Sequence, residues 1–190
     1  MPLCDLFGAG TCGKYLLREF SKRCSIYYDS PGERLEDDET RALADSCLHP
    51  PSHDLDFPLL QLGGPDLEQQ TQFKGKPNMG YVFSEWEPLT QKQKENLKAF
   101  DKIIAGSRWN AKVIREAGFA CEAVQQGVDT EIFKPSERLA LKDKFVIYSG
   151  GKYEHRKSQD LVIKAVKVLQ ERHSDILLAA SWTNLWSTFN

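Results

Sequence analysis

The chain has 190 residues, is 41% hydrophobic and 27% charged, and carries a formal net charge of −2. That length suits one large domain, or one domain and a piece of another, with a core of good size. The near-neutral charge argues against nucleic acid as a partner.

Five cysteines, at 4, 12, 24, 47 and 121, form no CxxC pair. An odd, scattered set fits free thiols in a reducing cytosol better than a disulfide framework or a zinc site. The opening MPLCDLFGAGTCGK lacks the basic start and long apolar core of a signal peptide. No run approaches the ~18 apolar residues of a transmembrane segment. A cytoplasmic location is expected.

Residues 3–7 predict a short strand running into Gly8-Ala9-Gly10-Thr11-Cys12-Gly13. A helix follows, with Tyr15, Leu16, Phe20 and Cys24 inward, and then a second strand over 25–28. Gly8, Gly10 and Gly13 thus match G-x-G-x-x-G between a strand and a helix, with Asp29 near the place of a ribose-binding acid. This pattern opens a rival reading, an NAD(P)- or flavin-dependent enzyme. Its plainer meaning is the glycine turn that any doubly wound domain needs after its first strand.

Residues 33–44 read as a short acidic surface helix. His49 and His53 lie in a loop broken by Pro50 and Pro51, which gives no metal site. Residues 57–62 form a candidate strand, and 66–76 a polar, mobile loop. Tyr81, Val82 and Phe83 predict a buried strand, with Ser84, Glu85, Trp86 and Glu87 at its carboxyl end, where open α/β sheets place ligands. These polar residues equally suit helix capping. A helix over 91–100 and a strand over 102–105 follow. Ser107 is a natural N-cap and Gly118 a natural stop for the next helix, and a strand over 121–125 comes after it. Residues 135–144 are polar and charged, as in a linker.

The apolar run Phe145-Val146-Ile147-Tyr148, then Gly150 and Gly151, then the basic residues Lys152, Arg156 and Lys157, precede a helical pattern. There Leu161, Val162, Ala165, Val166 and Leu169 fall on one face. Strand, glycine turn and helix open a βαβ unit, and 175–180 supply its second strand. The two lysines would meet an anion such as a diphosphate beside the helix start. An ordinary solvated loop is the alternative.

The segments GYVFSEWEPL, DKIIAGSRWNAKVIREAGF and QGVDTEIFKP, followed by GKYEHRKSQDLVIKA, resemble retaining glycosyltransferases of family 4. The resemblance covers about 79–182 well and 1–78 loosely. It implies an α/β architecture of the GT-B kind. A Rossmann-like, doubly wound, mostly parallel N-terminal domain (1–135) would bind the acceptor. A linker (136–144) would join it to the beginning of a C-terminal nucleotide-sugar domain (145–190), which in the family continues well beyond this length. By position, Lys152 and Lys157, with Gly150 and Gly151, would hold the donor diphosphate. The first of these basic residues is more often arginine in the family, and position 158 is more often glycine than serine. Glu85 and Glu87 are candidate catalytic residues, and Gly8, Gly10 and Gly13 a candidate acceptor or phosphate loop. A nucleotide-sugar donor and an acceptor would be the only small molecules needed, without metal or other cofactor. A non-catalytic α/β module on the same scaffold, or a form lacking most of the donor domain, fits the same residues. With only two strands after residue 144, exposed strand edges also suggest a homo-oligomer.

Overall fold

In the computed structural model, residues 3, 8–29, 37–137 and 140–183 are described. The chain is α/β and divides into two units, Met1–Val128 and Asp129–Asn190.

The first unit is built on four parallel strands in sequential order: β1 (Leu59–Leu62), β2 (Asn78–Val82), β3 (Lys102–Ala105) and β4 (Glu122–Ala123). Val82 sits opposite Ala105, and Ala105 opposite Ala123. Parallel strands need connections that climb back over the sheet. Helix α3 (Gln91–Leu97) joins β2 to β3, and α4 (Arg108–Glu116) joins β3 to β4.

Both helices start where the sequence puts a cap. The Thr90 hydroxyl accepts from Gln93 N–H while the Gln93 carboxamide accepts from Thr90 N–H, a reciprocal capping box. Ser107 caps α4 through Asn110 N–H at 3.1 Å. Helix α4 ends at Gly118, whose φ of +94° no β-carbon obstructs. Gly118 N–H reaches Arg115 C=O and Phe119 N–H reaches Ile114 C=O, so two carbonyls of the last turn keep partners.

The inward stripe of α4 is Asn110, Ala111, Val113 and Ile114. Its apolar members, Ala111, Val113 and Ile114, join Leu97, Phe100, Val82, Ile103 and Ala105 in one core. Leu97 and Ile114 are fully buried, each stabilising the fold by about 1.5–3 kcal/mol relative to an exposed side chain. Gly80 on β2 leaves room for the Phe100 ring, which lies 2.8 Å from where a β-carbon would stand. The loop over 66–76, expected to be mobile, carries a core residue: Leu67 is fully buried and packs in this cluster.

Helices α1 (Gly8–Ser21) and α2 (Asp38–Ser46) pack at a smaller core around Leu3 and Leu17. Four sequence expectations change here. The glycine run is not a loop ahead of a helix but the first turns of α1 itself, with Gly10, Gly13 and Leu17 as its buried stripe. Phe20, three residues after Leu17, continues that face but is exposed in the last turn of α1, and Cys24, beyond the end of the helix, is exposed too. The strand over 25–28 reduces to one parallel bridge, Tyr27 to Leu48. Helix α2 begins at Asp38, with Asp37 as its N-cap, and the expected helical residues 33–36 lie outside the described residues. So do residues 4–7 of the expected first strand.

Asp37 joins these two helices. Its carboxylate accepts from the Thr40 hydroxyl at 2.7 Å, caps α2, and meets Lys14 at 3.0 Å and Arg18 at 2.8 Å on α1.

The second unit contains two parallel strands, β5 (Phe145–Lys152) and β6 (Ile176–Thr183), joined through a 3-10 turn (His155–Lys157) and helix α5 (Gln159–Gln170). β5 is longer than the sequence suggests. Gly150 and Gly151 do not turn the chain but continue the ladder, opposite Ser181 and Trp182. Gly151 takes φ +133°, open only to glycine without strain, and Gly150 lies where a β-carbon would strike the Tyr148 hydroxyl. On α5 Val166 is buried and Val162 half-buried, whereas Leu161, Ala165 and Leu169 are exposed. Among the described residues no helix is long and apolar enough to cross a membrane.

Candidate functional site

The carboxyl ends of β2 and β3 carry the better-built of two candidate sites. Ser84 follows β2, and Asn110 stands in the first turn of α4. The Asn110 carboxamide accepts Ser84 N–H at 2.9 Å and donates to Ser84 C=O at 2.7 Å. Both residues are buried, so the pairing replaces water that the two backbone groups cannot reach. The Ser84 hydroxyl then accepts Trp86 N–H at 3.1 Å and donates to Trp86 C=O at 2.9 Å. The loop is therefore pinned at its base and curled by its own serine.

On that base Glu85, Trp86 and Glu87 are all exposed. Glu87 accepts the indole N–H of Trp109 at 3.2 Å, across from α4. The sequence-predicted Glu85 and Glu87 thus share a fixed loop with Trp86, and the structure adds Trp109 and Asn110. Asn110 was legible only as the third residue after an N-cap serine. Its second bond, to a strand end 26 residues earlier, has no local signature.

The glycine run meets the sheet one strand further along. Cys12, between Gly10 and Gly13, bonds the Gln126 side chain just after β4. Burial raises the Cys12 thiol above its ordinary pKa, with that hydrogen bond opposing. Burial likewise raises the Tyr81 phenol, whose hydroxyl donates to Val124 C=O at 2.8 Å. The thiol is thus held as a neutral group rather than a nucleophile. Gly8, Gly10 and Gly13 present helical backbone there, not the glycine turn that a dinucleotide fingerprint requires. Asp29, the candidate ribose acid, is exposed.

In the second unit Lys152 is the last residue of β5 and half-buried, and its C=O accepts from the Gln159 side chain at 2.7 Å. Tyr153 N–H pairs with Thr183 C=O, which fixes where the loop leaves the sheet. Arg156 is ion-paired with Glu154 at 2.8 Å, while Lys157 is exposed in the 3-10 turn. Ser158 has φ 55° and ψ 38° and makes no side-chain cap bond. The position where the resemblance has glycine is thus one where a β-carbon is strained. Asp160, in the first turn of α5, is held below the usual carboxylate range by Lys164 and in part by Leu161 N–H. A carboxylate already stands at this helix start, so an incoming anion would rely on the lysines rather than on the helix.

No group of three or more His, Cys, Asp or Glu side chains among the described residues is placed to hold a metal ion. In comparisons with known proteins, no family model, curated protein or solved structure matches the chain.

Proposed function

We propose that the chain is the acceptor-side unit and first donor-side βα unit of a retaining glycosyltransferase that uses a nucleotide-sugar. The observation that carries this reading is the β5–α5 junction. Lys152 stands at the carboxyl end of a parallel strand, Lys157 lies in the turn before the helix, and left-handed Ser158 takes the position of the resembled motif's glycine. In such a transfer positive charge develops on the sugar ring and negative charge on the departing diphosphate. Lys152 and Lys157 would bind that diphosphate and stabilise its charge as the glycosidic bond breaks. Glu85 and Glu87, on the pinned loop of the other unit, would contact the acceptor.

Calorimetric titration of the full chain with pyrophosphate and with UDP tests this. Each of Lys152→Ala and Lys157→Ala is expected to weaken both ligands about ten- to a hundredfold, the scale of a charge-assisted hydrogen bond. Unchanged affinities in both variants, or no binding by the wild type, would sink the assignment. Micromolar binding of NAD or FAD in the same titration would favour a dinucleotide enzyme instead.

A further inference from the structure

We infer that the loop after β2 and the first turn of α4 form a carbohydrate-binding platform, on which Trp86 and Trp109 stack against sugar rings and Glu87 accepts sugar hydroxyls. Resting on the transferase reading, this makes the acceptor a glycan. Trp86 is 65% exposed and Trp109 44% exposed. Tryptophan ordinarily contributes one of the largest apolar surfaces to a core. Slack in the chain does not account for the exposure. The loop is fixed by the buried Ser84–Asn110 pairing, and the Trp109 ring is fixed by its bond to Glu87. The backbone that carries Trp86 and the ring of Trp109 are therefore both held while the two indoles stand in water.

The chemistry of the patch selects its ligand. The face of an indole is electronegative, and the C–H face of a pyranose carries the complementary polarity. The rim of the same sugar is a set of hydroxyl donors, and a carboxylate is purely an acceptor. Glu87 uses Oε2 for Trp109, which leaves Oε1 for a hydroxyl. An aliphatic chain would cover Glu87 without giving it a donor. An anionic ligand would face Glu85 and Glu87 together.

Saturation-transfer NMR on the full chain tests the platform. The probes are glucose, galactose, mannose, N-acetylglucosamine, maltose, cellobiose and lactose at millimolar concentration, with tetramethylammonium as a cationic competitor. Ring C–H protons of at least one sugar are expected to receive saturation. Trp86→Ala and Trp109→Ala should each lower it at least fivefold, with Trp86→Phe retaining part. Both variants should keep wild-type circular dichroism and wild-type pyrophosphate affinity. No transfer to any sugar, equal transfer in the alanine variants, or transfer only to tetramethylammonium would overturn the inference. Pyrophosphate binding reports on Lys152 and Lys157. Its absence beside intact sugar binding would therefore overturn the transferase reading alone, and the reverse result would overturn the platform alone.

Discussion

Replacing Asn110 with alanine removes both halves of its pairing with Ser84. The residue is 4% exposed and Ser84 6% exposed, so neither backbone group of Ser84 has ready access to water. Each buried group left unsatisfied costs about 1–3 kcal/mol. Two groups give about 2–6 kcal/mol if the loop stays in place. The next residues, Glu85 to Glu87, are exposed and could let Ser84 tip outward, which points to the lower part of that range, about 2–3 kcal/mol. Asn110→Asp keeps an acceptor for Ser84 N–H but sets a carboxylate oxygen against Ser84 C=O, so it should cost at least as much. Urea unfolding of the full chain measures both, and the first unit must be followed separately because two units need not unfold together. An Asn110→Ala variant within about 0.5 kcal/mol of wild type would refute the claim that these bonds hold the loop.

Ser158→Gly should stabilise the second unit by about 0.5–1 kcal/mol, because φ 55° strains serine and no cap bond is lost; equal or lower stability by urea titration would count against this. Asp37 has a depressed folded pKa, first through the Thr40 hydroxyl and then through Lys14. Its contribution is therefore complete above about pH 4, the unfolded value, and is lost as pH falls toward the folded one. Asp37→Asn keeps a capping oxygen, so it should flatten the acid limb of stability and lower neutral stability by about 0.5–1.5 kcal/mol, the worth of two part-exposed ion pairs. An acid limb as steep as wild type would exclude Asp37 as its source. Gly75→Ala should cost about 2–3 kcal/mol, because the new methyl would meet the backbone of Leu59, which cannot rotate away; a two-state melt with unchanged midpoint would contradict this packing.

The parts of the fold legible in the sequence are those whose cause lies within a few residues. Ser107 and Gly118 bound α4 because a cap and a left-handed stop act locally. Strand β3 runs over 102–105 as its apolar pattern indicates. The misread parts are those in which a partner decides. Glycines ahead of a helix look alike whether they turn the chain or line a helix stripe. Gly10 and Gly13 line a stripe because Leu17 continues the same face into a buried contact. Gly150 and Gly151 read as a turn until β6 pairs with them residue for residue. On α5, a face assigned from spacing alone left Leu161 and Leu169 exposed, because burial depends on what stands opposite.

The candidate sites divide in the same way. A strand's carboxyl end is visible from its apolar run, so Glu85, Glu87, Lys152 and Lys157 could be named from sequence. What each can do depends on bonds formed over longer separations. Arg156 looks equivalent to its lysine neighbours in sequence, yet Glu154 already neutralises it. Glu87 looks like a spare carboxylate, yet it orients Trp109 from 22 residues away. Ser158 shows how a departure from a motif can acquire a cause. The backbone is left-handed with serine in place, the conformation that glycine takes without strain, so serine and glycine at 158 should differ in strain rather than in chain path. A substitution that relieves strain without moving Lys152 or Lys157 should leave anion affinity within about twofold while raising stability. Measuring both quantities on Ser158→Gly separates the geometry of the turn from the chemistry of its lysines. A loss of pyrophosphate binding in that variant would mean that the Ser158 hydroxyl itself takes part in the site.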